Sequence, residues 1–150
     1  MGKKVKVVLD TNVWVSILFK KALAGEFLPL IEAGRIDVYL SNQLLRELAT
    51  VLTYPRIVEV LEKADVDPRT VLSVILKSAK LIAVRSPVNE LRQDPADNRV
   101  SECASSAGAE FIVSGDTHLL SLNEFRGIRI VSPRDFLDIM KGGRLIERKG

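Results

Sequence analysis

The sequence predicts an α/β fold with a mainly parallel sheet covered by helices. Three observations predict it. Short apolar runs alternate with amphipathic helical patterns along the chain. The first run turns solidly apolar, as strands buried on both faces do. Helical segments open on capping residues, three of them followed at once by proline.

Taken in order, Lys4-Val5-Lys6-Val7-Val8-Leu9 alternates and then becomes continuously apolar, a buried strand. Asp10-Thr11-Asn12 supplies capping chemistry, and a helical pattern follows from Val13. A second helical pattern passes through Phe27, Leu28, Leu30 and Ile31 to Gly34. Ile36-Asp37-Val38-Tyr39-Leu40 reads as a strand. Ser41 is placed to cap a helix with Leu44, Leu45, Leu48, Val51 and Leu52 on one face. Helix resumes over 57–61 after Tyr54-Pro55.

Asp67-Pro68 starts the next helix, whose buried stripe is Val71, Leu72, Ile75 and Ala79. Leu81-Ile82-Ala83-Val84 reads as a third strand and 85–93 as a polar loop. Asp94-Pro95 repeats the cap-then-proline signal, Val100, Cys103, Ala104 and Ala107 share a face, and Gly108 ends that helix. Phe111-Ile112-Val113-Ser114 is a fourth strand. Gly115-Asp116 leads into a short segment with Leu119, Leu120 and Leu122. Ile128-Arg129-Ile130-Val131 gives a fifth strand, and Ser132-Pro133 opens a last helix through Phe136, Leu137 and Met140. No internal repeat, low-complexity tract or linker interrupts the pattern.

At 150 residues one domain is expected, with about 70% of the unfolded surface buried on folding. With 47% hydrophobic and 27% charged residues, the composition excludes general disorder. The longest apolar run, 13–19, contains Ser16 and falls far short of the roughly 20 residues a membrane helix needs. The basic start is followed by Asp10 within the apolar stretch, which does not suit a signal peptide. Cys103 is the only cysteine, so an internal disulfide and a cysteine metal cluster are both excluded, and a cytoplasmic location is expected. The net charge is +3. Four of the 22 basic residues and one of the 19 acidic ones fall in the last ten positions, so the rest is balanced. The basic end reads as a solvated tail rather than a nucleic-acid grip.

The informative step is to place the acids on the strand–helix alternation. Ligand sites in open parallel sheets form beyond the carboxyl ends of the strands. Asp10 directly follows the first strand and Asp116 follows the fourth by one glycine. Helices that follow strands begin at that same edge, which brings in Asp97, early in the helix opened by Asp94-Pro95, and Glu47, early in the helix opened by Ser41. Singly, Asp10, Asp94 and Asp116 read as N-caps, and Asp97 as an acid favoured by the helix dipole. Glu47 resists that reading: at about 100° per residue it falls at about 300° from Leu44, on the border of the buried face. Gly115 removes side-chain bulk beside Asp116.

Clustered carboxylates are costly. Two of them about 4 Å apart repel by roughly 4 kcal/mol at an effective dielectric of about 20. They must protonate, find cations or hold a metal. An all-oxygen set suits Mg²⁺ or Mn²⁺ rather than zinc, and such ions activate water and stabilise charge on a phosphoryl group. Phosphodiester hydrolysis is the chemistry that follows.

At these residues the chain resembles a PIN domain, the ribonuclease fold of VapC-like toxins. The resemblance is carried by Val8-Leu9-Asp10-Thr11-Asn12, by Glu47 in the helix after the second strand, by Asp94-Pro95-Ala96-Asp97-Asn98, and by Phe111-Ile112-Val113-Ser114-Gly115-Asp116 with the preceding Ala109-Glu110. Asp-Pro-x-Asp-Asn and Ser-Gly-Asp-x-His-Leu-Leu resemble one bacterial and archaeal subgroup of such toxins. The combination is specific, and it spans the chain from the first strand to about Met140. It implies a PIN-like three-layer sandwich, a parallel sheet of four or five strands flanked by helices, over residues 1–140, with 141–150 as the basic tail.

The resemblance further implies that Asp10, Glu47, Asp97 and Asp116 are the acidic quartet. Asp10 and Asp97 would be Mg²⁺ (or Mn²⁺) ligands, Asp116 would join them directly or through water, and Glu47 would hold a second ion or a water on it. Asn12 and Ser114 match supporting polar positions. Asp94 competes with Asp97 as the third acid; Asp97 is preferred because Asp94 precedes Pro95 and is explained as a cap. The implied activity is a metal-dependent endoribonuclease on single-stranded RNA, the toxin of a toxin–antitoxin pair. Implied partners are RNA, an antitoxin protein and a second copy of the chain, with no membrane.

Two rival readings remain at this point. A phosphatase of the haloacid-dehalogenase type also begins with an acid after the first strand, but it wants a second aspartate where this chain has Asn12. A catalytically inactive PIN domain that only binds RNA or protein is the other. Among the remaining residues, Cys103 and Trp14 read as core and His118 as an exposed loop residue. Arg46, Arg56, Arg92 and Arg99 read singly as solvated arginines near the edge loops. At 5% aromatic residues, a base-stacking platform is not expected, and a grip on RNA would rest on phosphate contacts.

Overall fold

The structure is a computed structural model that describes residues 4–85 and 95–142, with backbone alone for 95–97. The polar loop expected over 85–93 (beyond its first residue), the Asp94 cap, Arg92 and the tail beyond residue 142 lie outside the described residues.

Chain order is β1 (Val5–Leu9), α1 (Thr11–Phe19), α2 (Lys21–Glu32), β2 (Ile36–Ser41), α3 (Asn42–Val51), α4 (Pro55–Lys63), α5 (Pro68–Ser78), β3 (Lys80–Ile82), α6 (Pro95–Ala107), β4 (Phe111–Val113), α7 (Thr117–Leu122), β5 (Glu124–Phe125), β6 (Ile128–Val131) and α8 (Pro133–Met140). The strands form one sheet in the order β3-β2-β1-β4-β6-β5, flanked by helices. All neighbours are parallel except β5 and β6. The five expected strands are present. The sixth, β5, is a two-residue antiparallel edge reached through the tight turn at Arg126 and Gly127, both at positive φ. Two residues carry no period that a sequence pattern can register.

The solidly apolar runs take the middle of the sheet. Val7, Val8 and Leu9 of β1 and Ile112 and Val113 of β4 are wholly buried. The edge strand β3 is shorter than its apolar run, ends at Ile82, and leaves Leu81 exposed. Helix α2 runs through Pro29, which lacks the N–H that would bond to the carbonyl of Gly25. Three rings join α2, β4 and α8: Phe136 stacks on Phe27 with centroids 5.8 Å apart and meets Phe111 edge-on at 5.7 Å. Among the described residues no helix is long and apolar enough to cross a membrane.

The arrangement that matters for function follows from register. Leu9 of β1 pairs with Val113 of β4, so the residues that follow, Asp10 and Ser114, leave the sheet side by side at its carboxyl edge. The amide of Asp10 still reaches the Val113 carbonyl at 2.9 Å, and the amide of Ser114 reaches the Val131 carbonyl at 3.0 Å. Helices α1, α3 and α7 each start at that edge on a capping side chain: Asp10, Ser41 and Asp116.

Candidate active site

Asp10 is held on both carboxylate oxygens. Its Oδ1 accepts the Thr11 amide at 2.7 Å, and its Oδ2 accepts the Ser114 hydroxyl at 2.7 Å. Its own carbonyl accepts the amides of Val13 and Trp14, which opens α1. Capping therefore fixes the carboxylate in place, and only 7% of the residue is exposed. Ser114 is wholly buried and works in two directions. Its hydroxyl donates to Asp10 and accepts the amide of Asp116 at 2.9 Å. Asp116, half-buried, turns its Oδ1 to the amide of His118 at 2.8 Å and caps α7. A second link crosses the same strand ends, where the Gly115 amide donates to Asn12 Oδ1 at 3.3 Å.

Glu47 arrives from α3. Leu44 and Leu48 anchor that helix in the core, and Ser41 caps it through the Leu44 amide at 3.1 Å. The glutamate between them lies on the border of the buried face, its side chain 19% exposed. Glu47 Oε1 accepts the Thr11 hydroxyl at 3.1 Å, and Oε2 pairs with Arg99 of α6 at 3.1 Å. Arg99 stands four residues after Pro95, the first residue of α6, so the first turn of α6 lies beside this centre. That turn carries Asp97, whose side chain is outside the described residues, as is the whole of Asp94.

The structure thus brings Asp10, Asp116 and Glu47 to one edge, with Ser114 and Asn12 beside them, and places the backbone of Asp97 on the helix that reaches the same edge. Burial pushes the Asp10 carboxyl above its usual range. The Ser114 and Thr11 hydrogen bonds oppose that shift, while the nearby charges of Glu47 and Asp116 reinforce it. Among the described residues no three acidic, histidine or cysteine side chains close around one point as a complete ion-binding group. The donors that are described are all oxygens, and two like charges act on the buried Asp10. That chemistry fits a hard divalent ion and does not fit zinc.

Thr11 joins Asp10 to Glu47, and its only signal in the sequence is a hydroxyl at the first helical position. Arg99, one of the arginines near the edge loops and within reach of the acids, is the ionic partner of Glu47. Gly115 leaves the space beside Asp116 open: among the described residues a Cβ there would meet Asn12 Oδ1 at 3.8 Å, an ordinary contact. Cys103 is buried under Ser41, and burial pushes its thiol up to about 12, so it is inert at neutral pH. Trp14 is in the core, and His118, Arg46 and Arg56 are exposed.

A family model for the PIN domain matches residues 6–118. An uncharacterized protein of Methanocaldococcus jannaschii is 27% identical over 146 residues, which cover 90% of this chain and 91% of that one. Among solved structures, the crystal structure of VapBC2 from Rickettsia felis, bound to a DNA fragment from its promoter, superposes with a TM-score of 0.60 at 14% identity. The match covers 85% of this chain and 98% of that chain. At that identity the likeness speaks to fold alone.

Proposed function

The chain belongs to the PIN domain family, a family of nucleases, and from that premise we propose that it is a Mg²⁺- or Mn²⁺-dependent endoribonuclease of single-stranded RNA. The observation that carries this reading is the buried Asp10 carboxylate, fixed at the carboxyl edge of the sheet with Asp116 and Glu47 acting on it as like charges.

In this reading Asp10, Asp97 and Asp116 hold the ion, and Glu47 completes the acidic quartet. Bound there, a divalent ion lowers the pKa of water and stabilises charge on phosphoryl oxygens. The chain's own groups do the rest. Ser114 and Thr11 hold the Asp10 oxygens in a fixed direction, so this carboxylate does not have to reorganise when substrate arrives. Asn12 ties the two strand ends together. Hydrolysis adds water to phosphorus and breaks one P–O ester bond; the carboxylates are the groups present to take the proton the water gives up.

The phosphatase alternative is set aside by the family match, and Asn12 spends its side-chain oxygen on the Gly115 amide. The Rickettsia felis structure is of a VapBC2 pair, which supports a toxin role with an antitoxin partner. A homodimer is carried from the resemblance, and light scattering on the purified chain tests it.

The test is cleavage of a single-stranded RNA with Mn²⁺, with EDTA, and by the double variant Asp10→Asn, Asp97→Asn. Loss of at least about a hundredfold in rate is expected in the second and third cases. Single-stranded DNA run in parallel tests the choice of RNA. Undiminished cleavage by the double variant removes the mechanism.

A further inference from the structure

We infer that Arg99 is a built-in cation of this centre: it occupies Glu47, so that the site takes a single divalent ion, and it offers its guanidinium to a phosphate oxygen of the bound nucleic acid. The inference rests on the nuclease reading for its substrate, but not for its count of ions.

Both oxygens of Glu47 are engaged by this chain, Oε1 by Thr11 and Oε2 by Arg99. The carboxylate is 19% exposed while the arginine is 47% exposed. A pair with one shielded and one accessible partner is asymmetric. The acid is the fixed member, held from two helices, and the guanidinium is the member that solvent and ligand can reach. An arginine carries five N–H donors in a planar fork, and among the described residues the Glu47 bond engages one of them. The fork matches phosphate oxygens in the same way it matches a carboxylate.

The ion pairing points the same way. Among the described residues no salt bridge reaches Asp10 or Asp116, whose carboxylates bond to hydroxyl and amide donors, while Arg99 of α6 pairs with Glu47. A second divalent ion at Glu47 would have to displace Arg99 against its charge-assisted bond. With Arg99 in place, the quartet acts as a site for one ion beside a neutral pair. Arg99 is therefore a positioning residue toward Glu47 and a binding residue toward the nucleic acid.

The experiment titrates Mn²⁺ into wild type, Arg99→Met and Arg99→Lys by calorimetry and electron paramagnetic resonance. It then measures binding of a fluorescent single-stranded RNA with Ca²⁺ as the divalent ion, across a range of salt. We expect one Mn²⁺ per chain in wild type and Arg99→Lys, and two in Arg99→Met, whose Glu47 is released. RNA binding should weaken about tenfold in Arg99→Met, with the slope of log affinity on log salt falling by about 0.7, the share of one phosphate contact on a single strand. Loss of packing alone would move neither the ion count nor the salt slope. One Mn²⁺ in Arg99→Met overturns the charge role, and an unchanged salt slope overturns the phosphate role. Wild type that binds one Mn²⁺ yet cleaves no RNA would sink the nuclease reading while leaving the ion count of Arg99→Met a valid test.

Discussion

Asp10 shows how a single residue is at once a structural part and a liability. As an N-cap its carboxylate satisfies an amide of α1; as a buried charge it is costly. Because folding raises its pKa, the folded protein binds the Asp10 proton more tightly than the unfolded chain does. Its contribution to stability is thus best below the unfolded value of 3.8 and is lost as pH rises through the raised one. Asp10→Asn keeps an oxygen for the Thr11 amide, and its amide nitrogen can donate to Ser114. In EDTA at neutral pH this variant should melt above wild type, with the gap closing as the pH is lowered toward the unfolded value. Thermal melts across that pH range check it, and an equal gap at every pH would refute it.

Ser114 gives the opposite sign. Its hydroxyl, wholly buried, serves an acceptor on the buried Asp10 and a donor amide on the half-buried Asp116. Ser114→Ala leaves both without that partner and should cost about 1–3 kcal/mol, read from the urea midpoint. It also removes an interaction that holds the Asp10 pKa down. An unshifted midpoint would mean that the hydroxyl is not the bridge described. Asp10 and Asp116 were legible in the sequence because strand ends are legible, and Glu47 because one helical turn betrays its border position. Thr11 was not, and neither was the partner of Arg99, since both roles exist only where α1, α3 and α6 meet, and periodicity within one helix says nothing about what stands opposite.

At the scale of elements, the caps are what connect fold to site. Helices α1, α3 and α7 begin at one edge because each follows a strand of a parallel sheet, and each beginning demands an oxygen there. The same demand that ends a strand and starts a helix thus collects oxygens at one rim. This is why the strand–helix alternation alone brings Asp10 and Asp116 to one rim, and why each of these two acids taken singly reads as a cap. What the pattern did not carry was the weakest pairing, the antiparallel β5, and the true length of β3, since edge strands gain little from burial. Helix termination was legible: Gly108 follows α6 at φ +66°, with nothing near an added Cβ. Gly108→Ala should therefore cost about 1–2 kcal/mol through backbone conformation alone. Gly115→Ala, where no positive φ is required, should leave stability within about 0.5 kcal/mol of wild type. Paired urea titrations separate the two; equal losses would contradict the backbone argument.

For the whole molecule the question is how a fold tolerates surplus charge at its rim. The core is anchored by packing rather than by that charge, with Phe27, Phe111 and Phe136 locking α2, β4 and α8 together. The rim is then free to be locally unfavourable, since net stabilities of domains are about 5–15 kcal/mol and one buried acid does not exhaust them. An ion that binds the assembled rim and not the unfolded chain must return stability by mass action, about 2.7 kcal/mol at a hundred times its dissociation constant. For a chain of this length each kcal/mol is worth roughly 2–4 °C, so saturating Mn²⁺ should raise the wild-type melting temperature by about 5–10 °C. Asp10→Asn with Asp97→Asn should start higher in EDTA and then fail to respond. The two melting curves therefore approach one another, or cross, as Mn²⁺ is added. A wild type that melts at the same temperature with and without Mn²⁺ would show that the clustered acids do not serve an ion. The stability Asp10 gives up on burial would then have to be explained by something other than catalysis.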